Sequence, residues 1–212
     1  MGVRNSDVLS WLESLQHVYA ENRQWLTELD SAIGDADHGT NMDRGFTAVE
    51  NDLTVNPPAD IASILKNTAR VLIRSVGGAA GPLYGTFFLR AGAACEGKQE
   101  LGPADVVAMF QAGIEGVQQR GKAVPGDKTM VDVLLPALAA MRASLEQGES
   151  LSKILDEGVS AAEVAMRGTI PMQARKGRAS YLGPRSAGHQ DPGATSSYLL
   201  LQAAANAWRS LA

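Results

Sequence analysis

The feature that most constrains the fold of this chain is an alternation in what joins its apolar stripes. Eight stretches place hydrophobic residues at helical spacing. The first holds Val8, Trp11, Leu12, Leu15 and Val18, and the second Met42, Phe46, Val49 and Leu53. The third follows Pro57-Pro58 with Ile61, Ile64, Leu65, Leu72 and Ile73, and the fourth runs from Leu83 to Ala94. The fifth follows Pro103 with Val106, Val107, Met109, Phe110, Ile114 and Val117. The sixth spans Thr129 to Glu146, the seventh carries Leu151, Ile154, Leu155, Val159 and Val164, and the eighth runs from Ala194 to the end. Plain linkers follow the second, fourth and sixth stripes. Those after the first, third, fifth and seventh are rich in Gly and functional side chains: DSAIGDADHGT, SVGGAAGPLYGT, RGKAVPGDKT and MQARKGRASYLGPRSAGHQDPGAT. Short linkers favour antiparallel neighbours, so alternate linkers fall at the same end. The spacing predicts an all-α, eight-helix antiparallel barrel or bundle. One composite site would sit at one end, built by alternate interhelix loops. No alternating strand is convincing.

At 212 residues the chain suits one domain over 1–212, and 45% hydrophobic residues suffice for a sizeable core. With 19 basic against 23 acidic residues the net charge is −4, which argues against non-specific nucleic-acid binding. The lone Cys95 excludes an internal disulfide and fits a reducing compartment. The amino terminus MGVRNSDVLSWLES lacks an apolar signal core, and no apolar run approaches the roughly 20 residues of a membrane span. A soluble, cytoplasmic protein is the expectation.

In the first unusual linker, Asp30, Asp35 and Asp37 crowd three carboxylates into eight residues, just before a helix start. Clustered carboxylates repel unless a cation sits between them, and hard oxygen donors suit magnesium or calcium. The spacing is not that of an EF-hand loop. Unpaired amides at a helix amino terminus bind anions, so metal and anion together point to a magnesium-bound phosphate. Thr40 and Asp43 stand at capping spacing, and His38, Thr40 and Asn41 are placed to contact a ligand. The Ser75–Thr86 segment has the composition of a phosphate-cradling loop but neither the Walker A pattern nor GxGxxG. The linker from Thr169 to Gly193 carries Arg175, Lys176, Arg178, Arg185 and His189, and its basic charge complements phosphate. A loop of this length serves as a lid or stays disordered; the turn residues after His189 favour order. Ser180 and Ser186 lack a GxSxG elbow, which argues against serine nucleophile chemistry.

Four motifs in order, GDADHGTNMDRG, SVGGAAGPLYGTFF, RGKAVPGDKTM and MQARKGRASYLGPRSAGHQDPGATS, make the whole chain resemble the nucleotide-binding L subunits of phosphotransferase-dependent dihydroxyacetone kinases. The resemblance implies a helical barrel with the nucleotide at one mouth. It implies that Asp30, Asp35 and Asp37 hold two magnesium ions against the phosphates of tightly bound ADP or ATP. His38, Gly39, Thr40 and Asn41 match the family's nucleotide-contact run, and Gly78, Ala79 and Ala80 its phosphate loop. Gly121 and Met130 fall near the adenine, and Arg178, Asp191, Pro192 and Gly193 match the lid. Ala36 stands where many relatives have Gly. The implied partners are a phosphohistidine M subunit that recharges ADP in place and a K subunit that holds dihydroxyacetone. Some relatives also couple sugar-kinase status to a transcription regulator. No acid–base pair in the chain is suited to activating a sugar hydroxyl, in keeping with a base on the partner.

Overall fold

A computed structural model describes residues 2–211. Among them the α-helices are α1 (Asn5–Glu21), α2 (Arg23–Ile33), α3 (His38–Val55), α4 (Ile61–Ser75), α5 (Ala80–Ala94), α6 (Pro103–Gly121), α7 (Val131–Glu146), α8 (Leu151–Gly168) and α9 (Pro192–Trp208). Helices adjacent in sequence pack together from α3 through α9, and α1 packs on both α3 and α9. The result is a closed ring. If α1 and α2 count as one broken helix, the ring has eight members, and an even number lets antiparallel alternation close without a mismatch. None of the described helices is long and apolar enough to cross a membrane.

The break between α1 and α2 is a single residue. Asn22 leaves helical geometry (φ −94°, ψ 7°), and its side-chain amide donates to Val18 O at 2.8 Å. Its backbone amide still donates to Val18 O at 3.0 Å and its carbonyl still accepts from Leu26 N at 2.9 Å, so the chain bends rather than turns back. Other boundaries follow ordinary capping chemistry. The carboxylates of Asp60 and Asp191 accept from Ser63 N and Ala194 N at 2.7 Å, and the Ser150 hydroxyl from Lys153 N at 3.3 Å. The capping pair expected at Thr40 and Asp43 is not formed. Helix α3 starts earlier, at His38, and Asp43 instead pairs with Arg23 of α2 at 3.5 Å.

The interior is aromatic at its centre. Trp11 on α1 packs against Phe88, Phe110 and Trp208, from α5, α6 and α9, with ring centroids 5.2–5.8 Å apart. A short antiparallel pair, β1 (Val3–Arg4) with β2 (Glu100–Leu101), ties the amino-terminal segment to the plain α5–α6 linker. Two residues are too few to leave an alternating signature in the sequence.

Trp11 is fully buried and touches three elements of the ring. Trp11→Ala is expected to lower unfolding free energy by about 3–5 kcal/mol, read from urea titrations followed by circular dichroism. A loss under about 1 kcal/mol would show that the ring closes without this contact.

Candidate functional site

The α2–α3 corner is built around Asp30. Its carboxylate Oδ2 accepts from the amides of Asp37 (2.8 Å) and His38 (3.1 Å), so a side chain of α2 caps the amino terminus of α3. The arrangement requires glycine at position 34, where a Cβ would come within 2.0 Å of Asp30 Oδ1. It also requires glycine at position 39, where a Cβ would lie 2.0 Å from the Arg23 carbonyl oxygen of α2. Thus Gly39 serves the close approach of two helices. Between the two glycines, Asp35 and Asp37 are exposed while Asp30 is buried, and one oxygen from each of the three lies within 4.8 Å of the others. The donor set is three carboxylate oxygens and nothing softer, which fits a hard divalent cation. The guanidinium of Arg178 reaches in from the long loop, its Nε 3.1 Å from Asp35 Oδ2.

All four unusual linkers meet at one cleft of about 200 Å³. Its lining gathers Asp30, Asp35, Asp37, His38 and Asn41 from the first linker and Gly78, Ala79 and Ala80 from the second. Met130 comes from the third, and Arg178, Asp191, Pro192 and Gly193 from the fourth. Gly39, Thr40 and Gly121 stand outside the lining: Gly39 is buried against α2, Thr40 is exposed, and Gly121 lies behind Leu83. Helices α3, α5, α7 and α9 all begin at this cleft, so four positive helix ends face it. They are not equally available. Asp30 occupies the first amides of α3, Asp132 those of Gly126 (2.5 Å) and Thr129 (2.7 Å) before α7, and Asp191 that of Ala194 in α9. Helix α5 has no side-chain cap, and its opening residues line the cleft.

A polar chain runs from the cleft into the barrel. His38 Nε2 lies 2.8 Å from Ser196 Oγ, which lies 2.7 Å from the Tyr84 hydroxyl. Tyr19 donates to the Ser196 carbonyl oxygen at 2.8 Å. Burial pulls the His38 pKa below its ordinary value, against the opposing carboxylates of Asp30 and Asp37. Ser196, Tyr84 and the fully buried Lys128 carry no role in the sequence reading. A buried Thr195-Ser196-Ser197 run at the start of an otherwise apolar helix is the one signal that could have drawn attention to this wall.

The long fourth linker is ordered. A 3₁₀ segment occupies Arg178–Ser186, with a kink at Gly183 and Ile33 and Ala179 forming a small apolar contact group with Ala174. Asp191 is 7% exposed, and burial pushes its carboxyl up to about 7, with the Ala194 amide and the Lys128 ammonium pulling it back.

Two outcomes follow from this geometry. Ala36 sits in the left-handed region (φ 60°). A side chain there costs about 1–2 kcal/mol, partly offset by the greater unfolded freedom of glycine. Ala36→Gly is therefore expected to raise stability by about 0.5–1 kcal/mol, measured by denaturant titration. For Asp191 the raised pKa means the folded state favours the protonated form. Its stabilising contribution is complete below the unfolded value near 3.8 and is lost as pH rises through about 7. In protein stripped of metal and nucleotide, Asp191→Asn should keep the α9 cap and flatten the fall of Tm between these pH values. Melting curves with wild-type slope would contradict this.

The DAK2 domain family matches residues 32–206. The chain is 50% identical over 202 residues to the PEP-dependent dihydroxyacetone kinase ADP-binding subunit DhaL of Escherichia coli (strain K12), covering 95% of this chain and 96% of that one. It is 38% identical to the triokinase/FMN cyclase of Homo sapiens, over 84% of this chain but 31% of that protein. The dihydroxyacetone kinase of C. freundii, solved in complex with AMP-PNP and Mg2+, shares the fold at a TM-score of 0.73 and 24% identity, covering 97% of this chain and 34% of that one. The chain belongs to the DAK2-domain family, alongside the DhaL subunits of PEP-dependent dihydroxyacetone kinases.

Proposed function

We propose that this chain is the ADP-binding subunit of a PEP-dependent dihydroxyacetone kinase and keeps its nucleotide as a resident cofactor. One observation carries the reading: three carboxylates and an uncapped helix amino terminus open onto the same cleft. The first suits a divalent cation and the second an anion, and a magnesium-bound polyphosphate is both. Asp30, Asp35 and Asp37 would hold a pair of magnesium ions, whose charge would offset that of the phosphate oxygens. The amides of Gly78, Ala79 and Ala80 would receive phosphate. His38, Gly39, Thr40 and Asn41 would complete that end of the site, with Gly121 and Met130 toward the adenine.

The residues of the fourth linker would close over the nucleotide. Arg178 already carries a positive charge to Asp35, so a cation on Asp35 competes with it and leaves the guanidinium to face phosphate. In the proposed cycle a phosphohistidine M subunit regenerates ATP from bound ADP, and the γ-phosphoryl group passes to dihydroxyacetone held by a K subunit. The histidine in the cleft is poorly placed to deprotonate a sugar hydroxyl, since its Nε2 is engaged by Ser196. A base on the K subunit fits that arrangement.

The test is nucleotide content. Wild-type protein purified with magnesium should emerge from gel filtration carrying stoichiometric ADP. Asp35→Asn should weaken retention by about 1.5–3 kcal/mol, the worth of a hydrogen bond to a charged group, or roughly 10- to 150-fold in Kd. An Asp35→Asn protein with full nucleotide content would reject the role assigned to that carboxylate.

A further inference from the structure

Lys128 is an anomaly of this molecule. It is 1% exposed, although lysine is almost never fully buried unless paired. Its backbone is left-handed (φ 61°), a conformation that side chains other than those of Gly, Asn and Asp seldom take. The burial is explained by what its ammonium touches. The Nζ donates to the carbonyl oxygens of Met172 at 3.0 Å, Ser186 at 2.6 Å and His189 at 2.6 Å. A lysine has three N–H donors, and all three are used. None remains for a phosphate, so the residue lines the cleft without being free to bind ligand directly.

The three acceptors share one property. All lie in the fourth linker, at the two sides of its neck. The neck is drawn together by further bonds: Ala174 N to Ser186 Oγ at 2.8 Å, Gly188 N to the Ile170 carbonyl at 2.8 Å, and Arg175 N to the Asp127 carbonyl at 3.0 Å. The turn that presents Lys128 is itself fixed. Asp127 accepts from Val124 N, and Asp132 from Gly126 N and Thr129 N. Beyond the neck, the loop carries Arg178 to Asp35; after it, the chain enters α9 through Asp191.

We propose that Lys128 is a positioning residue whose buried ammonium, clasped by the carbonyls of Met172, Ser186 and His189, fixes the neck of the 169–193 loop and so holds Arg178 and Asp191–Gly193 over the nucleotide. The inference rests on the nucleotide reading above for its effect on retention, but its structural part does not. A bare ammonium in this position would be unstable, and a neutral side chain would leave three carbonyls without a donor. A cation with three donors therefore satisfies the carbonyls of the neck where a neutral side chain would not.

Lys128→Met keeps the length of the side chain and removes charge and donors; Lys128→Arg keeps both. Dissociation of a fluorescent ADP analogue from the magnesium-loaded protein, chased with excess ADP, is expected to be at least tenfold faster in Lys128→Met and partly restored in Lys128→Arg. Amide hydrogen exchange should quicken at residues 170–190 and stay as in wild type in α4, α5 and α6. Wild-type dissociation in Lys128→Met, or uniform acceleration of exchange with no restoration by arginine, would overturn the proposal. If Lys128→Met does not fold, exchange in the wild type decides. The amides of Ala174, Arg175 and Gly188 should be at least 100-fold slower than those of Lys176 and Gly177, and equal rates would overturn the clasp. A wild-type protein that binds no ADP while its neck amides stay protected would strike the nucleotide reading alone.

Discussion

The ring exists because α1 and α9 meet. Three buried aromatic side chains make that junction, each pairing an apolar body with a polar tip. Trp11 donates through Nε1 to the Leu200 carbonyl at 3.3 Å, Tyr19 through its hydroxyl to the Ser196 carbonyl at 2.8 Å, and Trp208 through Nε1 to the Asp7 carbonyl at 2.9 Å. The rings supply burial, while the bonds fix the register of one helix along the other. That register reaches the cleft. The backbone held by Tyr19 belongs to Ser196, whose hydroxyl faces His38. Closure of the barrel and construction of the site are therefore one packing event.

The cleft is an exercise in opposed charge. Four helix amino termini bring partial positive charge; Asp30 and Asp191 each spend a carboxylate on one of them, and Asp132 on the turn that leads into α7. Asp35 and Asp37 remain open to solvent beside Asp30, and α5 remains uncapped. The site thus keeps an open region of each sign, the acidic one met only by Arg178 at Asp35 and by the amides on Asp30. A ligand that carries both signs satisfies both at once, which neither a free cation nor a free anion does.

The fold was legible because its signals are periodic and its breaks chemical. Glycine-rich linkers alternating with plain ones mark one end of the barrel, and the loops converge there. The kink at Asn22 was hidden because two i→i−4 bonds continue across it and the apolar spacing scarcely changes. The start of α3 was misplaced because its cap comes from Asp30, on another helix, where a local capping pattern cannot register it. Lys128 was invisible for a deeper reason. Its partners are backbone carbonyls, which every residue possesses, so nothing in the identities of Met172, Ser186 and His189 advertises the contact. A lysine in a Pro-Gly-Asp turn reads as solvated until the third dimension is known.

The junction between α1 and α9 also decides where anything appended to this barrel must begin. Asp7 and Trp208 touch, and both lie a full helix away from the mouth. Helix α9 alone spans 17 residues, roughly 25 Å. A second domain tethered at either terminus would start on the far side. The cleft end of the barrel lies about eight extended residues further along the outer wall. The architecture thus separates the surface available for covalent attachment from the surface available for exchange.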